Sequence, residues 1–142
     1  MRRYARVILE VGAALQPGQD LAINAHVEHA PFARILCDEA SRAGAELVDV
    51  WNWDPHTKLA RLAHAPIESL GRTPDWLDAR YQGLAERGGA LINLSGDPEP
   101  DLLSAVDPAR AGLDRMPGLK SRFEVQTRNE VQWCFAAVPG PS

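Results

Sequence analysis

The amino-acid sequence predicts an α/β fold in which a mostly parallel sheet of about four strands carries helices on both faces. Two patterns predict this class. Short apolar runs alternate along the chain with segments whose apolar residues recur at helical spacing, so helical material separates each predicted strand from the next. The runs are apolar at successive positions, which is typical of strands that helices cover on both sides.

Length, composition and charge set the class of protein. The chain has 142 residues, of which 45% are hydrophobic and 24% charged, and 15 Lys and Arg stand against 19 Asp and Glu, which gives a net charge of −4. This length fits one domain with an ordinary globular composition. Affinity for nucleic acid depends mainly on neutralising phosphates with basic residues, so the acidic balance argues against a nucleic-acid partner.

The first predicted helix ends near residue 15. Its apolar stripe recurs at helical spacing and consists of Tyr4, Val7, Ile8, Val11 and Leu15. Pro17 and Gly18 then provide turn chemistry, because proline fixes φ and glycine adopts positive φ without strain.

A strand, a helix and a second strand are expected next. Residues 21–25 are a short apolar run, Pro31 opens a helical stripe that Gly44 is placed to end, and residues 47–51 form the second apolar run. A unit of this length is typical of two parallel strands joined by a crossover helix.

Capping residues before prolines mark the starts of the later helices. Asp54-Pro55, Thr73-Pro74 and Asp107-Pro108 each place a capping side chain before a residue whose φ suits a first helical turn. The helix after Pro74 is expected to point four apolar side chains inward: Trp76, Leu77, Tyr81 and Leu84.

The third and fourth strands are expected over residues 90–94 and 133–138. The helical stretch before the fourth strand is expected to break at Pro117-Gly118, because proline removes a helical hydrogen bond. The predicted amino-terminal α/β domain spans residues 1–138, and residues 139–142, Pro-Gly-Pro-Ser, form a linker or chain end.

The cysteines and the apolar runs bear on localisation. Cys37 and Cys134 lie far apart in apolar stretches without a CxxC pair or a secretory leader, which is typical of buried thiols in a reducing compartment. Glu10 interrupts the first apolar run, so it resembles neither a signal peptide nor a membrane helix. We expect a cytoplasmic protein without membrane attachment.

The motifs of nucleotide binding and serine hydrolysis are missing from the sequence. A dinucleotide site needs GxGxxG after the first strand, but residues 24–31 read Asn-Ala-His-Val-Glu-His-Ala-Pro and contain no glycine. There is also no Walker loop and no GxSxG elbow. The predicted fold is therefore Rossmann-like without a nucleotide-binding glycine loop.

His26, Glu28 and His29 form the densest group of metal-capable side chains, at the carboxyl end of the first predicted strand. In an extended chain His26 and Glu28 share one side, whereas in a helix the two histidines share a face. A stable metal site needs three or four converging ligands, so solvated loop residues or a helix-capping imidazole are the simpler interpretation. The sequence thus assigns no metal ligand and no catalytic residue.

Trp51 and Trp53 point to one face at the carboxyl end of the second predicted strand, and Asn52 points to the other. The two indoles could form an aromatic wall of a binding crevice. Core packing or docking against a neighbouring domain is the simpler alternative, because indoles bury a large area whatever the function. Together with His26 and Glu28, these tryptophans mark the edge where we expect domain docking or substrate contact.

Short motifs follow one another along nearly the whole chain. In the first part they are Tyr4-Ala5-Arg6, residues 15–19 (Leu-Gln-Pro-Gly-Gln), residues 23–25, Val27-Glu28, Ala30-Pro31 and residues 42–45 (Arg-Ala-Gly-Ala). In the second part they are Trp53-Asp54-Pro55, His64-Ala65-Pro66, residues 74–77 (Pro-Asp-Trp-Leu), Gly96-Asp97-Pro98, residues 101–103 and residues 131–134. This ordered series resembles the start of the thermophilic metalloprotease aminopeptidases, the relatives of aminopeptidase T and aminopeptidase S.

The resemblance implies a function for the longer protein and a limited role for this chain. Full-length members of that family have an amino-terminal α/β domain and a carboxyl-terminal domain whose glutamates, histidines and aspartate bind two divalent metal ions of zinc or cobalt type. The resemblance covers only the first domain, so we expect the catalytic metal-binding domain to be absent from this chain, and no ligand carries over. We expect the amino-terminal domain of a metal-dependent aminopeptidase, which removes amino-terminal residues from peptides, and no activity from this chain alone.

The resemblance also implies partners. They are the catalytic carboxyl-terminal domain of the same protein and peptide substrates, with a homodimer of the full-length enzyme. This domain would form a wall or lid over the active-site cleft. The alternative is a stand-alone α/β binding or regulatory module that has lost the catalytic half. A third hypothesis, a small intrinsic hydrolase, has only the group from His26 to His29 behind it.

Overall fold

The computed structural model describes residues 1–115 and 119–138. The helices are α1 (Arg2–Val7), α2 (Ala30–Arg42), α3 (Pro55–His64), α4 (Asp75–Glu86), α5 (Pro108–Leu113) and α6 (Leu119–Thr127). The strands are β1 (Asp20–His26), β2 (Leu47–Trp53), β3 (Ala90–Ser95) and β4 (Gln132–Ala137). A π-helical segment, Ile8–Gly12, continues α1, and 3-10 turns cover Val27–His29 and Ile67–Ser69. The expected break at Pro117-Gly118 and the expected linker at residues 139–142 lie outside the described residues.

The four strands form one parallel sheet in the order β2-β1-β3-β4. This confirms the predicted α/β class and its parallel sheet. The chain leaves β1 toward β2 on one side and then crosses to β3 and β4 on the other, so the strand order reverses between β1 and β3. In sheets of this kind a crevice opens at the carboxyl ends of the strands on either side of the reversal.

Helices cover both faces of the sheet, as the sequence predicts. On one face, Ile23 and Ile92 of the central strands pack with Leu9 after α1 and with Phe32 and Leu36 of α2. On the other face, Ala22 and Leu91 pack with a smaller set of side chains from α4, α6 and the residue before β4: Leu77, Tyr81, Leu84, Val125 and Val131. Each buried aliphatic side chain stabilises the fold by roughly 1.5–3 kcal/mol.

The expectation that all strands are covered on both faces is wrong for the outer two. Most residues of β2 and β4 are exposed or only partly covered, because these strands lie at the edges of the sheet. Trp133 and Phe135 of β4 are 42% and 53% exposed. Polar residues also interrupt the central strands, where Asn24 and Asn93 are buried.

The first helix differs from the expected stripe. The helical segment ends at Gly12, and Val7 and Val11 are exposed, whereas Leu9 and Ala13 are buried. The cause is the π-helical segment, in which Ala13 donates to the carbonyl of Ile8 at 2.8 Å, five residues back. A wider turn shifts which side chains share a face, so a stripe drawn at ordinary α-helical spacing goes out of phase.

Two of the three predicted helix caps are present. The Asp54 carboxylate accepts from the backbone N–H of His56 at 2.8 Å, and the Asp107 carboxylate accepts from that of Ala109 at 2.9 Å. Thr73 makes no such bond, and α4 begins at Asp75 after Pro74. Trp76, expected to point inward, is 59% exposed because the first turn of α4 extends beyond the packed face. None of the described helices is long and apolar enough to cross a membrane.

Candidate functional site

The carboxyl ends of β1 and β2 bring three of the singled-out aromatic side chains together. His26 and Trp53 are partners in the β1–β2 register, and their rings lie 4.2 Å apart between centroids. The 3-10 turn after β1 then brings the ring of His29 to 5.1 Å from that of His26. Both histidines are buried, so the interpretation of solvated loop residues is wrong for them.

Glu28 does not join this cluster. It lies on the same 3-10 turn, but its side chain is exposed. Over residues 1–115 and 119–138, no group of three or more His, Cys, Asp or Glu side chains is placed to hold a metal ion. His29 therefore packs on His26, and His26 packs on Trp53, with their ring planes tilted by 52° and 46°, and the described residues add no further ligand to the pair.

Burial determines the charge state of His26. Desolvation lowers the pKa of His26 below its ordinary value of 6.5, and nearby His29 lowers this pKa further. Asp97 and Glu28 act in the opposite direction, with smaller effects. The imidazole is thus held neutral around pH 7, which suits a packed aromatic pair.

Trp51, Trp53 and Trp76 line a cavity of about 320 Å³ at the outer side of β2. Trp51 and Trp76 meet edge to face, with ring centroids 6.2 Å apart at 85°. The sequence suggested an aromatic wall from the two strand residues, and the structure adds Trp76 to it. Helical spacing alone predicts that Trp76 points into the core, and no sequence signal predicts its position beside β2.

Lys58 and Arg61 of α3 also line this cavity, and both pair with the carboxylate of Asp114. Arg61 donates from Nη2 to both carboxylate oxygens of Asp114, at 2.7 and 2.6 Å, and Lys58 Nζ lies 3.9 Å from the same carboxylate. The Asp114 side chain is fully buried. The cavity is therefore mainly aromatic, with its cations held in ion pairs.

A second cavity, of about 270 Å³, lies at the carboxyl ends of β1, β3 and β4. Asn24 and Asn93 line it, and Trp53 forms a wall shared with the first cavity. Arg122 of α6 and Phe135 of β4 line it from the opposite side. Sequence reasoning missed the two asparagines, although a polar residue inside each of two apolar runs was a signal that could have identified them.

Hydrogen bonds connect these asparagines to α4. Arg80 donates from Nη1 to Asn24 Oδ1 at 2.8 Å and from Nε to Asp49 at 2.5 Å. Asn24 donates from Nδ2 to Asn93 Oδ1 at 2.9 Å and to the Tyr81 hydroxyl at 3.0 Å. Burial raises the pKa of Tyr81, which keeps its hydroxyl neutral. The arrangement is suited to binding polar ligands at the strand ends.

The cysteines offer no activated nucleophile. Burial raises the pKa of the Cys134 thiol and that of the Cys37 thiol, so neither is a thiolate near pH 7. Both are free, as the sequence predicts for structural thiols. The chemistry that the described residues support is therefore recognition at two cavities.

Comparisons with known proteins match this chain along its length. The family model described as thermophilic metalloprotease (M29) matches residues 1–142. The chain is 38% identical to aminopeptidase 2 of Geobacillus stearothermophilus over 144 residues, which cover 99% of this chain and 34% of that protein. It is 34% identical to aminopeptidase T of Thermus thermophilus over 115 residues, covering 79% and 27% of the two.

A solved structure shows the same fold. Wild-type AmpT from Thermus thermophilus superposes with a TM-score of 0.87 at 28% sequence identity. The match covers 99% of this chain and 36% of that one. The chain thus spans about a third of the length of the curated relatives it matches.

Proposed function

Because the chain belongs to the thermophilic metalloprotease family M29, we propose that it is the amino-terminal α/β domain of a metal-dependent aminopeptidase. The observation that carries the proposal is the extent of the matches: nearly all of this chain aligns with only 34% of aminopeptidase 2 and 36% of the AmpT structure. The enzyme would remove amino-terminal residues from peptides, and this domain would act in a reducing, cytoplasmic setting.

The residues of this chain do not fit the two divalent metal ions that the family implies. His26 and His29 are adjacent, but the Glu28 side chain is exposed, and the part of the chain that the structure describes offers no third ligand beside the pair. We therefore assign the metal ligands, and with them peptide-bond hydrolysis, to the carboxyl-terminal part of the longer enzyme.

We assign this domain the role of a wall or lid of the active-site cleft. The residues that would contact substrate or the catalytic domain are His26, Glu28, Trp51 and Trp53, at the carboxyl ends of β1 and β2. Supporting this, Trp53 separates two cavities that both open at this edge. Aromatic walls of this kind bind apolar side chains and exclude water when a cleft closes.

The outer edge of the sheet offers a second contact surface, Trp133 and Phe135 of β4. Their rings meet edge to face at 6.0 Å and 83°, and both are about half exposed. No strand pairs with the outer side of β4 among the described residues. An open strand edge with exposed aromatic rings is a template for further chain. We propose that the carboxyl-terminal part of the enzyme covers it.

A chimera tests the proposal. In it, this chain replaces the matching segment of aminopeptidase 2 of Geobacillus stearothermophilus, and a chromogenic aminoacyl amide reports hydrolysis with added Zn²⁺ or Co²⁺. We expect activity from the chimera and none from this chain alone. The control is the relative with its own segment deleted, which should be inactive. Metal-dependent hydrolysis by this chain alone, or a folded chimera without activity, would contradict the proposal.

The alternative function is a stand-alone binding or regulatory module. The cavity beside Asn93 and Arg122 favours it, because that cavity is built from this chain alone and contains polar groups without partners. The two functions differ in the size of the native protein, since a stand-alone module would have the 15.5 kDa mass of this chain.

A further inference from the structure

The cavity of about 270 Å³ at the reversal between β1 and β3 contains hydrogen-bond donors that nothing in the described structure satisfies. Its lining combines polar and apolar groups, and the residues that matter here are Asn93, Arg122, His26, Trp53, Leu94 and Phe135. These donors belong to this chain whatever the function of the longer enzyme.

Arg80 fixes the orientation of two buried amides in series. A guanidinium can only donate, so the oxygen of Asn24 must face Arg80 Nη1, 2.8 Å away. The amide nitrogen of Asn24 then faces Asn93, which must present its own oxygen at 2.9 Å. The Nδ2 of Asn93 is therefore turned away from Asn24, and it is buried without a hydrogen-bond partner. Asn93 is only 3% exposed, so leaving this donor without a hydrogen bond destabilises the folded chain.

Arg122 adds a positive charge without a counter-charge. Its Nε is buried without a partner, and no carboxylate of the described residues lies within ion-pair distance of it. Its guanidinium lies 5.4 Å from the ring centroid of Phe123. Burial lowers the pKa of Arg122, yet a guanidinium stays charged near pH 7. Arg80 differs, because Asp49 compensates its charge.

The remaining lining selects the shape of a ligand. Trp53, Leu94 and Phe135 provide apolar walls, and the buried Nδ1 of His26 also has no partner. Asp97 is the acidic residue of the lining, but it is exposed and its Oδ1 accepts from the backbone N–H of Glu99 at 2.9 Å. The interior of the cavity is thus suited to a ligand that combines a negatively charged hydrogen-bond acceptor with an apolar group.

We propose that this cavity binds a small molecule with a carboxylate on an apolar or aromatic body, and that Arg122 and Asn93 hold the carboxylate. A guanidinium and an amide nitrogen that line the same cavity can each donate to one oxygen of a carboxylate. The volume of about 270 Å³ lies below the range of drug-sized sites and suits one amino-acid residue. The carboxylate can come from a free amino acid or from the carboxyl-terminal residue of a peptide.

A titration of the whole chain tests the charge requirement. N-acetyl-phenylalanine and its uncharged amide are compared by calorimetry, with tryptophan fluorescence as a second signal because Trp53 lines the cavity. We expect saturable binding of the acid and about tenfold or more weaker binding of the amide. Equal binding of the two, or no saturable binding of the acid, would overturn the proposal. Phenylalanine and acetyl-alanyl-phenylalanine then distinguish the two sources of the carboxylate. Tighter binding of phenylalanine would indicate a free amino acid, and tighter binding of the dipeptide would indicate the carboxyl terminus of a peptide.

Two matched variants, one in α6 and one just after it, test whether the ligand binds in this cavity. Arg122→Gln should weaken binding of the acid about tenfold or more, whereas Arg128→Gln removes the same charge from an exposed position and should leave binding unchanged. Unchanged binding by Arg122→Gln would overturn the assignment. If that variant does not fold, Phe135→Ser tests the same cavity from an exposed strand position and should also weaken binding. Binding that survives the Phe135 change at full strength would place the ligand elsewhere.

Discussion

Asn24 donates a hydrogen bond of 2.9 Å from its side-chain nitrogen to the side-chain oxygen of Asn93, and the two residues are partners in the β1–β3 register. The bond joins the two central strands at the point where the strand order reverses. Both residues are buried, so the pair is a polar layer within an apolar sheet. It connects Arg80 on α4 with the cavity beside Arg122.

Replacing Asn24 with alanine should lower the free energy of unfolding by about 2–3 kcal/mol, because three groups around this buried side chain each lose a hydrogen bond at once. These groups are Arg80 Nη1, the Tyr81 hydroxyl and Asn93 Oδ1. Urea unfolding measures the change. Asn52→Ala is the control, since Asn52 is exposed on β2 and its loss should change stability by no more than about 0.5 kcal/mol. Equal losses from the two changes would show that the network is not stabilising.

Gly89 and Gly83 give a matched test of packing, because an added Cβ would clash at the first position and would meet open space at the second. A Cβ on Gly89 would lie 2.4 Å from Leu84 Cδ1 and 2.8 Å from the backbone oxygen of Asp20. We expect Gly89→Ala to cost about 1–3 kcal/mol in unfolding free energy.

Gly83→Ala is the counterpart, because Gly83 lies inside α4 and a Cβ there would meet nothing within 4 Å. Alanine in a helix interior should raise stability by about 0.5–1 kcal/mol. Denaturant midpoints of the two variants should therefore move in opposite directions. A stabilising Gly89→Ala would mean that β3 begins further from α4 than the structure shows.

His26 should make stability depend on pH. Its pKa in the folded chain is lowered by burial, so the native state binds the proton more weakly than the unfolded state does. The stabilising effect is therefore complete above the unfolded pKa of 6.5 and is lost as the pH falls from there toward the folded pKa.

Unfolding free energies from about pH 7.5 to about pH 5.5 should fall more steeply in the parent chain than in His26→Gln. His64→Gln serves as the control for replacing an imidazole with an amide, because His64 is exposed at the end of α3. A parent chain whose slope matches that of His26→Gln would show that His26 is not held neutral.

The exposed rings of β4 should contribute to assembly of the enzyme rather than to folding of this chain. Replacing Trp133 and Phe135 with serine should leave the unfolding midpoint of the chain nearly unchanged, since both are about half exposed. In the chimera, the same pair of changes should lower thermal stability and activity. Ile67→Ser, at a similarly exposed site in the 3-10 turn after α3, is the control. A chimera that tolerates the β4 changes would leave this edge without a role.

Much of the fold could be predicted from the sequence because local chemistry determines it. Asp54 and Asp107 cap helices where prolines follow them, and apolar runs become parallel strands. Edge exposure could not be predicted, because the order of strands decides which of them lie outside. Trp76 shows the same limit: helical spacing indicates which residues share a face, but not how far that face extends over the sheet.

The candidate site was only partly predictable. His26 and Trp53 were singled out at adjacent strand ends, and the register does bring them together. Asn24 and Asn93 are 69 positions apart, and only the pairing of β1 with β3 shows that they share a hydrogen bond. The unpaired charge of Arg122 is likewise a property of the tertiary structure, since a sequence does not show which cations lack partners.

The mass of the native protein in its source cell tests the central claim most directly. An antibody raised against this chain would detect it in a cell extract separated by size. We expect a species about three times heavier than 15.5 kDa, because this chain covers 34% of the length of aminopeptidase 2. A single species of 15.5 kDa would contradict the account and would favour a stand-alone module that binds ligands at the strand ends.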